Sequence, residues 1–197
     1  MSNQHPVRCS CGALAGILRD PPWVNRVICY CNSCQAFAER LGRGDEVLDA
    51  QGGSDIVQTS PRNLSFTRGP EHLTWLRLTP KGPLRWYASC CNTPIGNTPA
   101  NFRLSFVGLV HMCLGDRESL DAAFGPPRMQ VFTKFARGEP KPKQRISVPA
   151  IAGFVWHMAA ARLGGGYTVS PFFDEAGEPM AVPGDGASRR GGRRPFG

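Results

Sequence analysis

No stretch of this 197-residue sequence is apolar for long enough to cross a bilayer. The most apolar segment, residues 151–161, is short and is followed by Arg162. The first eight residues are polar and lack the apolar run of a leader peptide. No internal repeat is present, which argues against a solenoid or propeller. Histidine is scarce, at 4 residues, and the spacing of a C2H2 finger is missing, as is any stacked-aromatic RNA-binding motif. These absences lead to the expectation of a cytoplasmic, non-repetitive protein with no membrane partner.

Acidic residues are also few, 15 against 23 basic ones, and the formal net charge is +8. Arg189, Arg190, Arg193 and Arg194 against Asp185 account for +3 of this near the C-terminus. A second basic cluster, Lys134, Arg137, Lys141, Lys143 and Arg145, sits in a proline-containing stretch. Such clustering reads first as a solvated loop and tail. It leaves open a nucleic-acid contact through the basic tail.

What is present is a hydrophobic fraction of 41%, enough for a core, together with 23 glycines and 18 prolines, which favour short strands and frequent turns. Residues 7–19 read as two strands around a Cys-Gly turn, and residues 25–29 as another. Residues 34–41 form a short helix ending at Gly42, followed by a loop with one helical turn. Residues 54–60, 64–67, 73–78 and 84–88 are short strands separated by proline and glycine, the punctuation of an antiparallel sheet. Residues 102–113 continue as one longer strand. Beyond them, residues 118–124 are helical and 128–135 could be strand or helix. A helix from Ser147 to Leu163 opens with proline in its first turn and stops at Gly164. It is apolar nearly all round, so it is expected to be buried.

The eight cysteines fall into three groups and a singleton: Cys9 and Cys11; Cys29, Cys31 and Cys34; Cys90 and Cys91; and Cys113. In a reducing compartment, clustered cysteines read as metal ligands before disulfides. A C-x-C in an extended strand aims two sulfurs to one side. A C-x-x-C turn supplies half of a tetrahedral zinc site. Thiolate donors select zinc over magnesium or calcium. Structural zinc has four protein ligands, and catalytic zinc has three with one open position. Cys29, Cys31 and Cys34, with no histidine between them, have the composition of an open site. Cys9 and Cys11 need partners from elsewhere in the chain. Cys113, in an apolar run, reads as a core residue. Glu39, Asp45, Glu46 and Asp49 read as surface charges, and His111 and His157 as structural histidines.

Three segments carry a family resemblance: Cys9-Ser10-Cys11-Gly12, the run from Cys29 to Cys34, and Tyr87-Ala88-Ser89-Cys90-Cys91-Asn92-Thr93-Pro94-Ile95. Over residues 7–110 the chain resembles the glutathione-dependent formaldehyde-activating family, which includes centromere protein V-like proteins. In that family the third motif is aromatic-C-x-x-C-G-T-P. Aligning Thr93-Pro94 places the second cysteine at Cys91, puts Ala88 where the first belongs, and sets Asn92 in place of glycine. The resemblance implies a mainly β fold, a beta-tent of small antiparallel sheets around zinc-binding cysteines, here with a helical C-terminal extension. It implies a structural zinc on Cys9, Cys11 and Cys91 and a catalytic zinc on Cys29, Cys31 and Cys34, hence one or two zinc ions.

Cys90 is an alternative ligand, although neighbours in a strand point to opposite faces. Water or another side chain could complete the site instead, or the site could be empty, and a vicinal Cys90–Cys91 disulfide would be strained. The implied activity is that of a carbon–sulfur lyase on a small thiol substrate, glutathione or its formaldehyde adduct. The competing reading is a non-catalytic zinc module that binds a protein or nucleic acid. The expected organisation is a flexible N-terminus at 1–6, the zinc-binding domain at 7–115, an extension packed on the core at 116–173, and a disordered basic tail at 174–197.

Overall fold

A computed structural model describes residues 4–184. The chain is mainly β, with ten strands and four α-helices among the described residues. The first strands, β1 (Gln4–Arg8) and β2 (Ala15–Arg19), form a hairpin that β5 (Leu64–Arg68) extends to a three-stranded antiparallel sheet. Alternation places Val7 and Leu18 on its buried face. The second sheet has seven strands, in the order β10 (Met129–Val131), β3 (Val24–Cys29), β4 (Ser54–Thr59), β9 (Val107–Val110), β8 (Thr93–Thr98), β7 (Leu84–Ala88) and β6 (Leu73–Leu76). All its pairings are antiparallel except β10 with β3. Two short helices, α1 (Asn32–Arg40) and α2 (Gly44–Val47), connect β3 to β4. Two more flank β10, α3 (Arg117–Phe124) before it and α4 (Val148–Leu163) after it.

Several elements depart from the pattern read in the sequence. Residues 4–6 belong to β1 and pair with β2, so the expected flexible N-terminus is in part sheet. The long strand expected over 102–113 is reduced to β9, because Asn101 Oδ1 accepts the Arg103 backbone N–H and turns the chain away before it. Residues 111–113 form a 3-10 turn. The strand β8 lies across Pro94, which sits opposite Tyr87 where the β7–β8 register shifts; a bulge tolerates the missing donor. The open choice at 128–135 resolves as β10 followed by a 3-10 turn at Thr133–Phe135.

The C-terminal segment is not a tail up to residue 184. Phe172 is fully buried, its ring 4.8 Å from that of Trp86 and 6.1 Å from that of Phe66. Further on, Trp75 Nε1 donates to Ala181 O at 2.9 Å, Thr74 Oγ1 to Val182 O at 2.8 Å, and Gly184 N to Trp75 O at 2.9 Å. Residues 171–184 therefore close over β6 and complete the core. The four tail arginines lie outside the described residues.

The largest correction concerns α4. Only Ala150 of this helix is buried, and Val148, Ile151, Val155, Trp156 and Leu163 are exposed. Its inner side rests on the Trp23 and Phe106 rings through Phe154. The main core is already filled by Trp86, Phe172, Leu14, Leu18, Ile95 and Leu109, so the helix docks on the outside.

Helix α3 is held by one buried cation. Arg26, in β3, donates from Nε and Nη2 to Asp55 at 2.9 and 2.7 Å, and from Nη1 to Asp121 and to Gly125 O. Its side chain is fully buried, whereas that of Asp121 is half exposed. Asp55→Ala would strand a buried guanidinium and is expected to lower stability by about 3–5 kcal/mol. Asp121→Ala is expected to cost about 1 kcal/mol or less. Urea unfolding of the two variants checks the ranking.

Candidate metal centres

Two loops from different sheets meet at the first centre. Cys9 and Cys11 sit on the β1–β2 loop, which closes with Cys9 N donating to Leu14 O at 3.0 Å and passes through Gly12 at φ +74°. Cys90 and Cys91 sit on the β7–β8 turn, where Asn92 N donates to Ala88 O at 2.8 Å. Asn92 has φ +55°; asparagine tolerates this left-handed conformation better than most residues with a side chain, so it can stand where the family motif has glycine. The turn also answers the question of the adjacent cysteines. Ser89 to Asn92 is not strand, so the alternation rule does not apply, and both sulfurs point to one side.

The sulfur–sulfur distances are 3.5 Å for Cys9–Cys11, 3.4 Å for Cys11–Cys90, 3.8 Å for Cys9–Cys90 and 3.8 Å for Cys90–Cys91. A tetrahedral ion with metal–sulfur bonds of about 2.3 Å requires sulfurs about 3.8 Å apart. The four thiols fit that geometry, and all eight cysteines are free of disulfides. Ala88 is a fully buried strand residue, paired with Leu73 and Thr93, and Cys90 brings the fourth sulfur.

Neighbouring groups fix this centre and offset its charge. Ser10 N donates to Thr93 Oγ1 at 2.9 Å, joining the loops directly, and Arg43 Nη2 donates to Cys91 O at 2.6 Å. Burial pushes the Cys91 thiol up, but hydrogen bonds from Ser10 and Thr93 outweigh it and bring the thiol down to about 5. A thiol poised to ionise is the form a metal binds.

The second centre is deeper. Cys29 ends β3, Cys31 caps α1 by accepting the Cys34 N–H at 3.4 Å, and Cys34 lies in the first turn of that helix. The sulfurs of Cys29 and Cys34 are 3.7 Å apart, and all three lie within 4.8 Å of one another. Cys29 and Cys34 are buried, and Cys31 is partly exposed. Hydrogen bonds from the Cys29 and Cys34 thiols lower Cys31 against the effect of burial, helped by the Cys34 N–H and the charge of Arg85. In the other direction, hydrogen bonding to Cys31 and Cys34 and then burial raise Cys29.

Arg85 is a residue of the candidate site that the sequence reading missed. Although in β7, it is buried and places Nη1 3.6 Å from Cys34 Sγ, with Asn97 Oδ1 at 2.7 Å and Ser33 Oγ at 2.5 Å as further acceptors. A cation within the otherwise apolar run Leu84–Ala88 was the available signal. Beside it opens a groove of about 470 Å³, lined by Cys34, Lys81, Arg85, Asn97, Asn101 and Leu104 among others.

The remaining candidates lie apart from both centres. Cys113 is buried and donates to Ile95 O at 3.3 Å, as a core cysteine. Glu39 pairs with Arg137 and Glu46 with Arg43, and Asp49 accepts from the Gln51 and Gly53 N–H groups. Asp45 is exposed. His157 lies against Trp23, and His111 begins the 3-10 turn before Leu114. Among the described residues, the two cysteine groups are the clusters able to hold a metal ion.

The geometry places Cys90 with Cys91 in one group of four thiols, where the family alignment had Cys91 as the ligand and Cys90 as an alternative. Cys90→Ser and Cys91→Ser are each expected to reduce bound metal by about one ion per chain, whereas Cys113→Ser leaves the metal unchanged. Elemental analysis of the purified variants measures this. Full metal retention in Cys90→Ser would restore the three-cysteine reading of that centre.

Comparison with known proteins yields no match among curated proteins. A crystal structure of a Rhodobacter sphaeroides protein is similar at 17% identity, over 58% of this chain and 94% of that one, with a TM-score of 0.41. A family model, described as a family of unknown function (DUF6151), matches residues 1–182. The chain belongs to that family.

Proposed function

We propose that the protein is a zinc-dependent, carbon–sulfur lyase-like enzyme that acts on the adduct of a small aldehyde with a glutathione-type thiol. The observation that carries this reading is the three-thiol centre, which stops one ligand short of a closed tetrahedron and borders a groove with a buried arginine. Donors that are all sulfur favour zinc over oxygen-seeking ions. On this reading Cys9, Cys11, Cys90 and Cys91 hold a closed structural zinc, and Cys29, Cys31 and Cys34 an open catalytic one. A cytoplasmic setting, where thiols stay reduced, suits both. Among the described residues no helix is long and apolar enough to cross a membrane.

The reaction is redox-neutral. The carbon–sulfur bond of an S-hydroxymethyl thiol breaks, the C–O bond becomes a carbonyl, and the hydroxyl proton ends on sulfur. A zinc ion bound by three thiolates supplies Lewis acidity toward the substrate sulfur or aldehyde oxygen. The protein's own residues do the rest. Arg85, beside Cys34, offsets the surplus negative charge of three thiolates around a divalent ion, in a buried setting where an uncompensated charge is costly. Lys81, exposed at the edge of the groove, suits a substrate carboxylate, and Asn97 and Asn101 offer amides to a peptide-like body. Cys34 lines the groove, and Cys31 is partly exposed where Cys29 and Cys34, the other two thiols that would hold the ion, are buried.

Exchange of formaldehyde with its glutathione adduct, followed by two-dimensional NMR, tests the reading. Cys31→Ser is expected to abolish acceleration. Arg85→Met is expected to slow it by about 10²-fold, the scale of a lost electrostatic contact in a buried site. Lys81→Ala is expected to raise the KM by up to about fivefold, the reach of an exposed charge pair. Chelation should remove activity, and zinc should restore it. Metal-loaded protein that gives no acceleration, yet binds generic DNA in a salt-sensitive manner, would favour the non-catalytic zinc module instead.

A further inference from the structure

Helix α4 presents two different faces. One is docked: Phe154 packs on Trp23 and Phe106, His157 lies against Trp23, and Gly153 lets the Trp23 indole approach so closely that an added Cβ would stand 3.2 Å from Nε1. The other face is bare and apolar. Val148, Ile151, Val155, Trp156 and Leu163 recur at the spacings of one helical stripe, with Ala152 and Ala159 between them. All seven are exposed; Val148 retains 74% of its surface, Trp156 71% and Leu163 88%. The stripe runs the whole 16-residue helix, which contains no acidic residue. Contiguous apolar surface of this kind marks an interaction site.

Charge identifies what it fits. Residues 126–163, which lead into and include the helix, carry Arg128, Lys134, Arg137, Lys141, Lys143, Arg145 and Arg162 against Glu139 alone. Every one of these basic residues is exposed. A second copy of this chain, also at +8, would bring two such segments together against their mutual repulsion. An anionic lipid surface attracts them and accepts an apolar stripe at the same time. Trp156 lies mid-stripe, and an indole with one polar edge suits the headgroup boundary. Arg162, at the C-terminal end, packs its guanidinium 5.6 Å from the Tyr167 ring; a long stem there allows the charge to reach phosphate while its methylenes stay apolar.

We infer that α4 is a peripheral membrane-docking element: it lies in the plane of an anionic bilayer, with the Val148–Leu163 stripe in the acyl boundary and the preceding basic segment on the headgroups. Interfacial helices of the usual kind turn a polar face to water; here the domain covers that side through Trp23 and Phe106, and only the outer apolar face with Trp156 is left for the bilayer. It is independent of the chemistry proposed for the cysteine centres, so failure of either leaves the other standing.

The test uses the full-length, metal-bound protein with vesicles of phosphatidylcholine, pure or containing one third phosphatidylserine. Co-sedimentation is expected with the anionic vesicles only, with loss at high salt as charges are screened. Trp156→Ser is expected to weaken partitioning by about tenfold, since it removes an indole that buries in the boundary. Lys141→Gln with Lys143→Gln is expected to weaken it by a similar factor, the contribution of basic residues near an anionic surface. All three positions are exposed, so metal content and thermal midpoint should be unchanged. Three outcomes would overturn the inference: no sedimentation with either vesicle, equal sedimentation with both, or a soluble dimer that Trp156→Ser dissociates, which would assign the stripe to a second copy.

Discussion

The two sheets of this protein share no strand, and the place where their loops are drawn together is the group of Cys9, Cys11, Cys90 and Cys91. The β1–β2 loop comes from the three-stranded sheet and the β7–β8 turn from the seven-stranded one. Cys11 and Cys90 are 79 residues apart in sequence and 3.4 Å apart in space. Closing so long a chain segment carries an entropic cost. The Ser10–Thr93 hydrogen bonds and the Arg43 contact to Cys91 O offset part of it. A metal held by four thiolates would add far more, because binding energy at such a site is folding energy. The rest of the arrangement follows from that junction. With Cys90 and Cys91 anchored, β7 and β8 take their register, and β7 carries Arg85 to the second centre.

The two centres differ in how the charge of their thiols would be managed. At the four-cysteine group, Cys11 and Cys90 are exposed, so water screens the excess negative charge and Arg43 suffices at its edge. At the three-cysteine group, Cys29 and Cys34 are buried, and screening is weak. There the compensating charge has to be built in, and Arg85 is placed by a fully buried strand, with Ser33 and Asn97 holding its guanidinium. Arg85 therefore touches Cys34 Sγ and lines the groove at once, so the charge that would make a buried thiolate site tolerable is also presented to the groove.

Much of this was legible in the sequence where local chemistry decides. Proline and glycine marked the strand ends at 54–60, 64–67, 73–78 and 84–88, and C-x-C and C-x-x-C spacing picked out the cysteine groups that could hold a metal, because spacing and turn chemistry are local properties. What was hidden depended on context. The rule that adjacent strand residues diverge counted against Cys90, and it failed because Ser89–Asn92 is a turn, a fact signalled only by Asn92 at a glycine position. Pro94 concealed β8, since a proline in a strand needs a bulge that composition does not reveal. The half-legible C-terminus has the same cause. Gly and Pro content suggested disorder from residue 174, yet Phe172 and Phe173 bury beside Trp86 and draw residues up to 184 onto β6.

Helix α4 shows why apolar composition cannot be equated with burial. A helix that is apolar all round is expected inside, and this one would be inside if the core had room. It has none: Trp86, Phe172 and Ile95 are fully buried without any help from the helix, and well-packed interiors do not admit an extra layer of side chains. The chain therefore seats α4 on Trp23 and Phe106 with one face and leaves the other in water. Leaving Trp156 exposed forgoes about 25 cal/mol for each Å² that could be covered. A stripe with Val, Ile, Trp and Leu at matching helical positions is poorly explained as scattered surface hydrophobes, which need no partner. The periodicity that places Ala150 and Phe154 against the domain is the same one that lines up the outer face, so the helix is built to be covered on both sides, once by its own domain and once from outside.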